Sequence, residues 1–154
     1  MIVGAQLYPL LAPLVGGIIN SDVRFADKTR YTDKTRYSYA GSVTLTGNPR
    51  VYPIIVPEGS VKNTPYIVWQ VISNLPENTI DGATGHEWVR VQIDCYDPSY
   101  DAAVQLSNDV LGVINSNIQT TDYFGTQQMY DTDAKLFRQS IDIGLWQTTP
   151  STYL

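Results

Sequence analysis

Basic and aromatic side chains recur at a fixed interval in residues 27–39, which read DKTRYTDKTRYSY. The pentapeptide DKTRY occurs twice, and its two copies start six residues apart. Six residues turn a helix by about 600°, so helical copies would face different directions. In a strand, an even interval points both copies the same way. The interval therefore predicts an extended arm with one basic face and one aromatic and acidic face.

The net charge of −5 is distributed unevenly along the chain. Residues 24–36 hold five of the ten basic side chains and carry a net charge of +3, which leaves −8 for the remainder. Opposite charges of this kind steer surfaces toward one another. We therefore expect the partner-contacting side chains to be Arg24, Lys28, Arg30, Tyr31, Lys34, Arg36, Tyr37 and Tyr39.

Residues that could carry catalysis or hold a metal are isolated in the sequence. The single histidine, His86, falls between a glycine turn and a predicted strand, and the single cysteine, Cys95, falls on the apolar face of that strand. Metal sites need several converging ligands, and Ser-His-Asp catalysis needs a histidine placed beside a nucleophile. The GATG at 82–85 lacks the lysine of a phosphate-binding loop. We expect no catalytic residue, metal site or cofactor.

The elements that must position these surfaces form an α+β pattern, which we interpret as one domain over residues 1–154. An N-terminal helix is predicted by the helical spacing of Val3, Leu7, Leu10 and Leu14, and its prolines argue against a membrane span. A long helix is predicted at about 98–115. Its apolar stripe is formed by Tyr100, Ala103, Leu106, Val110 and Val113. Its predicted outer side carries Asp101, Gln105, Asn108 and Asp109.

Alternation predicts a mainly antiparallel sheet under these helices. In residues 86–96, Val89, Val91, Ile93 and Cys95 share one face, and Trp88, Arg90, Gln92, Asp94 and Tyr96 share the other. Strands are also predicted at 65–73 and 134–147, with an edge strand in the proline-containing segment 51–59 and a weaker strand within 118–131. Residues 74–85 are dense in turn formers, and residues 148–154 are predicted to be a C-terminal tail.

The segment 18–50 is predicted to be an inserted arm, with a protruding β-hairpin over 22–50 in which residues 42–52 form the returning strand. The alternative is a solvated loop that contains a duplication. A two-stranded ribbon is marginal in water by itself. We therefore expect the arm to be ordered mainly when another surface covers it.

The order of motifs resembles the tail completion, or tail terminator, family of tailed bacteriophages. The resemblance covers residues 5–16 and 50–147 and runs through LYPLLAPLVGG, RVYP, PYIVWQVIS, TIDGATG and LFRQSIDIGLWQ. Its most specific part is RVQIDCYDPSYDAA, residues 90–103. The segment 18–49 departs from the family, whose members usually pass from the glycine after the first helix almost directly to the Tyr-Pro segment.

The resemblance implies a small non-enzymatic α+β protein that assembles as a closed ring, usually a hexamer, at the head-proximal end of the tail. Such a ring stops polymerisation of the tail tube and offers a surface to the head connector. The implied partners are further copies of the chain, the tube protein, the connector or stopper protein and the tape measure protein. DNA would pass through the lumen, no membrane would be involved, and assembly would occur in the cytoplasm of the host bacterium. Within this picture the inserted arm would dock on a neighbouring ring subunit or on the last ring of the tube.

Three other functions are compatible with the sequence. The basic and aromatic arm could track phosphates as a nucleic-acid-binding module. A small ligand-binding or enzymatic domain could share the same layout, and a deep pocket with converging polar groups would identify it. A head-side stopper or a neck adaptor would also be a small ring-forming protein.

Overall fold

The computed structural model describes residues 3–19, 45–47, 49–57, 64–118 and 121–148. A five-stranded, mostly antiparallel sheet is packed against two helices, which confirms the predicted α+β class. None of the helices in these ranges is both long and apolar enough to cross a membrane. The elements are α1 (Val3–Leu11), a 3-10 helix (Ala12–Val15), β1 (Gly17–Ile19), β2 (Leu45–Gly47), β3 (Val51–Pro53), β4 (Tyr66–Thr79), β5 (Gly82–Asp97), α2 (Tyr100–Asn117), β6 (Asp122–Asp131) and β7 (Leu136–Thr148).

The strand order in the main sheet is β3-β4-β5-β7-β6. Only β3 and β4 run parallel, and every other neighbouring pair is antiparallel. At the centre, Val91 of β5 lies opposite Val71 of β4 on one side and Ile143 of β7 on the other. The short, proline-containing β3 is an edge strand, as its sequence predicts.

The hydrophobic core lies between one face of this sheet and the two helices. It is formed by Val3, Leu7 and Leu11 of α1, Leu106, Val110 and Ile114 of α2, and the inward residues of β4, β5 and β7. Val89, Val91, Ile93 and Cys95 are all fully buried, so the predicted inward face of β5 is confirmed. Complete burial of a Val or Ile side chain stabilises a fold by about 1.5–3 kcal/mol.

The predicted long helix is present as α2, which begins and ends two residues later than the predicted 98–115. Ser99 is the N-cap, and its Oγ accepts a hydrogen bond from the Ala102 N–H at 3.5 Å. One prediction for this helix was wrong, because Asp109 is buried rather than outside, and it accepts a hydrogen bond from Gln105 Nε2 at 2.9 Å. Asp109 is three residues after Leu106 and adjacent to Val110, so it falls within the apolar stripe.

The predicted turn over 74–85 was wrong in extent. The strands β4 and β5 continue through it and are joined only at Ile80 and Asp81, with Gly82 at a φ of 121°. Pro76 is tolerated because β3 pairs with β4 only as far as Trp69, and along the rest of β4 the outer edge has no described partner strand. The result is a long β4–β5 hairpin.

The two ends of the predicted arm are paired with each other. β1 and β2 are antiparallel, with Gly17 opposite Gly47 and Ile19 opposite Leu45. Residues 42–52 were predicted to be a single strand, but β2 and β3 belong to two different sheets. The repeat itself lies outside the described residues, as do 148–154 apart from Thr148, so the hairpin and the tail stay predictions.

Candidate functional site on the open face of the sheet

The face of the main sheet that points away from α1 and α2 is covered by no helix in the described ranges. We term it the open face. It is built by the alternation of β5 and β7, whose other residues fill the core. Its central members are Trp88, Arg90, Gln92, Asp94 and Tyr96 of β5 and Arg138, Ser140, Asp142, Gly144 and Trp146 of β7.

Aromatic rings cover one end of the open face. Trp88 and Trp146 lie opposite each other with their ring centroids 5.2 Å apart and an interplanar angle of 67°. The Arg90 guanidinium lies 4.7 Å from the centroid of the Phe124 ring, and its Nε donates to Asp142 Oδ1 at 3.0 Å. The hydrogen bond to Asp142 raises the pKa of Arg90 above its ordinary value. The guanidinium is therefore held by a ring and a carboxylate while still exposed.

A buried carboxylate lies at the middle of the open face. Asp94 is 5% exposed and accepts hydrogen bonds from Arg138 Nη2 at 2.8 Å and from Gln92 Nε2 at 3.0 and 3.1 Å. The neighbouring Arg138 Nε is buried and has no hydrogen-bond partner. Burial of a charge requires compensating hydrogen bonds. The pair therefore fixes the centre of the face rather than offering a free charge.

Three tyrosines form a second aromatic cluster at the other end. Tyr66 stacks on Tyr96 at 4.8 Å and meets Tyr52 edge-on at 6.4 Å. Burial, together with the nearby Tyr96 and Asp131, raises the pKa of Tyr66 from 10.0 to about 12. Burial also raises the pKa of Tyr96. The hydroxyls of Tyr66 and Tyr96 therefore stay protonated at physiological pH.

A groove of about 550 Å³ opens beside this cluster. One wall consists of Ile54, Ile55 and Val56, the floor contains Tyr66, Val68 and Tyr96, and the other wall carries Asp131, Asp133 and Ala134 beside Arg138 and Asp94. We term it the acidic groove because three carboxylates and a single guanidinium line it. Lys135 lies in the same turn but does not line the groove.

The apolar wall of the acidic groove is strained and exposed. Ile54 has a φ of 66°, a conformation that costs a β-branched residue about 1–3 kcal/mol. It is held there by its N–H, which donates to the Trp69 carbonyl at 2.8 Å. Ile54 and Ile55 are 73% and 75% exposed. Strain that places two isoleucines in water is typical of a surface used for contact.

A second exposed apolar surface runs along the outer part of the β4–β5 hairpin, from the register shift after Val71 to the turn, and we term it the hairpin tip. It consists of Ile72, Leu75 and Ile80, which are 48%, 69% and 101% exposed. Every residue from 71 to 80 is exposed. Three large apolar side chains exposed along one hairpin favour a contact surface.

The single histidine and the single cysteine lie in different environments. His86 is exposed at the start of β5, and Cys95 is fully buried, which raises the pKa of its thiol. Across the described ranges, no three His, Cys, Asp or Glu side chains could hold a metal ion together. The eight predicted contact residues from Arg24 to Tyr39 all lie outside the described residues.

Sequence reasoning missed the acidic groove and the hairpin tip. The sequence placed Asp131 at the end of the weak strand and turn over 118–131 and assigned Asp133 to no element. Nothing in their local pattern indicated that they meet Ile54 and Ile55, about 80 residues earlier in the chain. The hairpin tip was hidden because its apolar residues are interspersed with turn formers.

The described part of the chain is a small α+β subunit with a covered core and two exposed apolar surfaces. The model of the family described as "Tail completion protein gp17" matches residues 38–148, more than two thirds of the chain. The chain therefore belongs to this tail completion family, whose members are structural components of the bacteriophage tail. No curated protein matches the chain. The match begins within the predicted arm and includes the last part of it, whereas the N-terminal helix lies outside the matched range.

Proposed function

We propose that the protein is a tail terminator: copies of it form a ring at the head-proximal end of the tail, cap the tube, stop its polymerisation and join the tail to the head connector. Family membership places it in the tail but leaves the ring and the capping to be tested. The observation that supports assembly with other subunits is the exposure of three large apolar side chains at the hairpin tip.

A closed ring requires each copy to present two different patches, one to each neighbour. The subunit has two separate exposed apolar surfaces, the hairpin tip and the apolar wall of the acidic groove. They lie at different levels of the sheet, because Leu75 pairs with Trp88, whereas the groove is lined by Tyr66 and Tyr96 at the opposite end of β4 and β5. Two distinct patches suit a head-to-tail arrangement better than a two-fold dimer.

The proposed partners follow from this position. The ring would contact the last ring of tube protein on one side and the connector or stopper protein on the other, with the tape measure protein and then DNA passing through the lumen. Assembly would take place in the cytoplasm of the host before the tail meets the head. This scheme involves no contact between the protein and a membrane.

The test is tube polymerisation in the presence of the purified protein. Tube protein is allowed to polymerise with and without it, and tube lengths are measured by electron microscopy, together with mass by light scattering and a search for annuli. We expect shorter, capped tubes and ring-shaped particles at one end. Unchanged tube growth with no end-bound rings would reject the proposal.

A phage that lacks the protein separates the terminator from the stopper. Loss of a terminator gives tails of abnormal length that do not join heads. Loss of a stopper or neck adaptor leaves tails of correct length that fail to join. Normal tails that join normal heads would exclude both functions.

A further inference from the structure

The acidic groove and the basic repeat are complementary in charge and in side-chain type. Three carboxylates line the groove against one guanidinium, and that guanidinium, Arg138, already pairs with Asp94. Among the residues that line the groove, Asp131 and Asp133 therefore supply the net negative charge. The segment 24–37 carries a net charge of +3, and its two Lys-Thr-Arg-Tyr units combine cations with an aromatic ring. Opposite potentials of this kind steer and orient two surfaces.

The groove also has the shape and composition of a docking surface. Its volume of about 550 Å³ is enough for several side chains of an extended segment. Tyrosine rings lie on its floor, and two isoleucines stand exposed on its rim. Lysine and arginine stems can cover such apolar surface while their charged ends reach carboxylates. Tyrosine and arginine are enriched at interfaces for the same reason.

The root of the arm and the groove belong to different sides of the subunit. β1 follows the 3-10 helix directly, and Val15 of that helix is part of the core on the helical side of the sheet. The Arg50 N–H, just after β2, donates to the Val15 carbonyl at 2.9 Å. The acidic groove opens on the open face. An arm would have to pass around the edge strand β3 to reach the groove of its own subunit.

The arm is also long enough to reach a neighbouring subunit. Residues 20–44 separate the paired strands β1 and β2. A limb of half that length would span about 40 Å if extended, at about 3.3 Å per residue. This reach is comparable with the diameter of a small domain, which is about 30 Å.

We propose that the acidic groove of one subunit receives the basic repeat, residues 27–37, of an adjacent copy. The cations of the repeat pair with Asp131 and Asp133, and its tyrosines pack against the tyrosine floor and the isoleucine rim. The contact rests on the proposed ring, because it links each copy to the next in one direction. It gives the duplicated pentapeptide a binding surface on the chain itself.

A disulfide trap tests the contact directly. Thr32 lies between the two copies of the pentapeptide and Ala134 lines the groove, so the variant Thr32→Cys/Ala134→Cys places one thiol on each surface. The native Cys95 is fully buried and should not compete. The matched control, Thr32→Cys/Asn108→Cys, places the second thiol on the exposed side of α2. Both are oxidised mildly, alone and on tail tubes, and analysed by non-reducing gel electrophoresis.

We expect a ladder of chains crosslinked between copies for the groove variant and not for the α2 control. A disulfide within one chain would overturn the proposal in favour of docking on the same subunit. Equal crosslinking of both variants, or none in either, would also overturn it.

Neutralising the charges of the groove is a second test of the contact. Asp131→Asn/Asp133→Asn, introduced into the trap variant, removes the two charges but keeps the side-chain oxygen of residue 131, which accepts from the N–H groups of Asp133 and Ala134. Asp81→Asn/Asp122→Asn removes the same charge from exposed positions outside the groove. We expect about fivefold less crosslinked product for the first variant only. An equal effect of both would show that net charge alone matters and would overturn the proposal.

The same samples separate this inference from the proposed function. Rings that stop tube growth but give no crosslink between copies would reject the groove contact and leave the terminator role intact. Chains that crosslink specifically between copies yet leave tube growth unchanged would reject the terminator role and support the contact.

Discussion

Trp88 lies so close over Gly144 that a Cβ on Gly144 would be 2.5 Å from Trp88 Cζ2. It would also be 3.0 Å from Cε2 of Phe124. The two residues are on neighbouring strands and two positions apart in register, since Gly144 pairs with Arg90 and Trp88 pairs with Trp146. The absence of a side chain at 144 is therefore what allows both rings to lie across the open face.

We predict that Gly144→Ala destabilises the protein by about 1–3 kcal/mol, because the tryptophan ring must move to admit a methyl group. The free energy of unfolding in urea measures the loss, and near-UV circular dichroism reports the changed Trp88–Trp146 pair. In Trp88→Leu the same alanine should cost much less, since the clash is gone. Equal costs in both backgrounds would contradict the role assigned to the contact.

A second prediction concerns the buried pair of the open face. Arg138→Met removes the main partner of Asp94, whose side chain is 8% exposed, and leaves its carboxylate with Gln92 alone. We expect a loss of roughly 1–3 kcal/mol in the free energy of unfolding, because a buried carboxylate loses a compensating charge. The double variant Asp94→Asn/Arg138→Met should recover part of that loss. A double variant less stable than Arg138→Met would show that the methionine itself, not the orphaned charge, is responsible.

Much of the sheet could be predicted because its local and tertiary preferences agree. In residues 86–96 the predicted alternation of apolar and polar residues is present in the structure. Val89, Val91, Ile93 and Cys95 lie in the core, and Trp88, Arg90, Gln92, Asp94 and Tyr96 lie on the open face. The long helix was placed correctly for the same reason. Asp109 was misplaced because its burial depends on what packs against the helix, which a periodic pattern does not contain.

The contact surfaces could not be predicted because they depend on long-range placement. The acidic groove unites the turn after β6 with the segment after β3, and neither is periodic. The β4–β5 hairpin was mistaken for a turn region because Asn, Pro, Glu and Gly residues there usually indicate loops. Cross-strand pairing with β5, such as Leu75 opposite Trp88, overrides these local preferences.

A third prediction is a fall in stability at alkaline pH. The folded pKa of Tyr66 is about 12 and its ordinary value is 10.0, so the folded state holds this proton more tightly than the unfolded state. Stability is unaffected below pH 10 and is lost as the pH rises from 10 toward 12, by at most about 1.4 kcal/mol for each pH unit. Urea unfolding measured between pH 8 and 11.5 tests this slope.

The substitution Tyr66→Phe should flatten that slope, although the raised pKa values of Tyr96 and Cys95 leave part of it. Tyr130→Phe is the matched control, because Tyr130 is 50% exposed. It should leave the slope as it is. A slope that is the same in the protein and in Tyr66→Phe would assign the alkaline loss to other groups.

The last prediction separates folding from assembly at the hairpin tip. Leu75 and Ile80 are 69% and 101% exposed, so Leu75→Ser/Ile80→Ser should change the free energy of unfolding by no more than about 0.5 kcal/mol. The same variant should fail to form rings or to stop tube growth, because it removes the apolar surface that would be buried between subunits or against the tube. Leu75→Met/Ile80→Met keeps that surface apolar and should assemble. Light scattering and electron microscopy of tubes distinguish the two, and a serine variant that caps tubes normally would show that the hairpin tip faces solvent in the assembled tail.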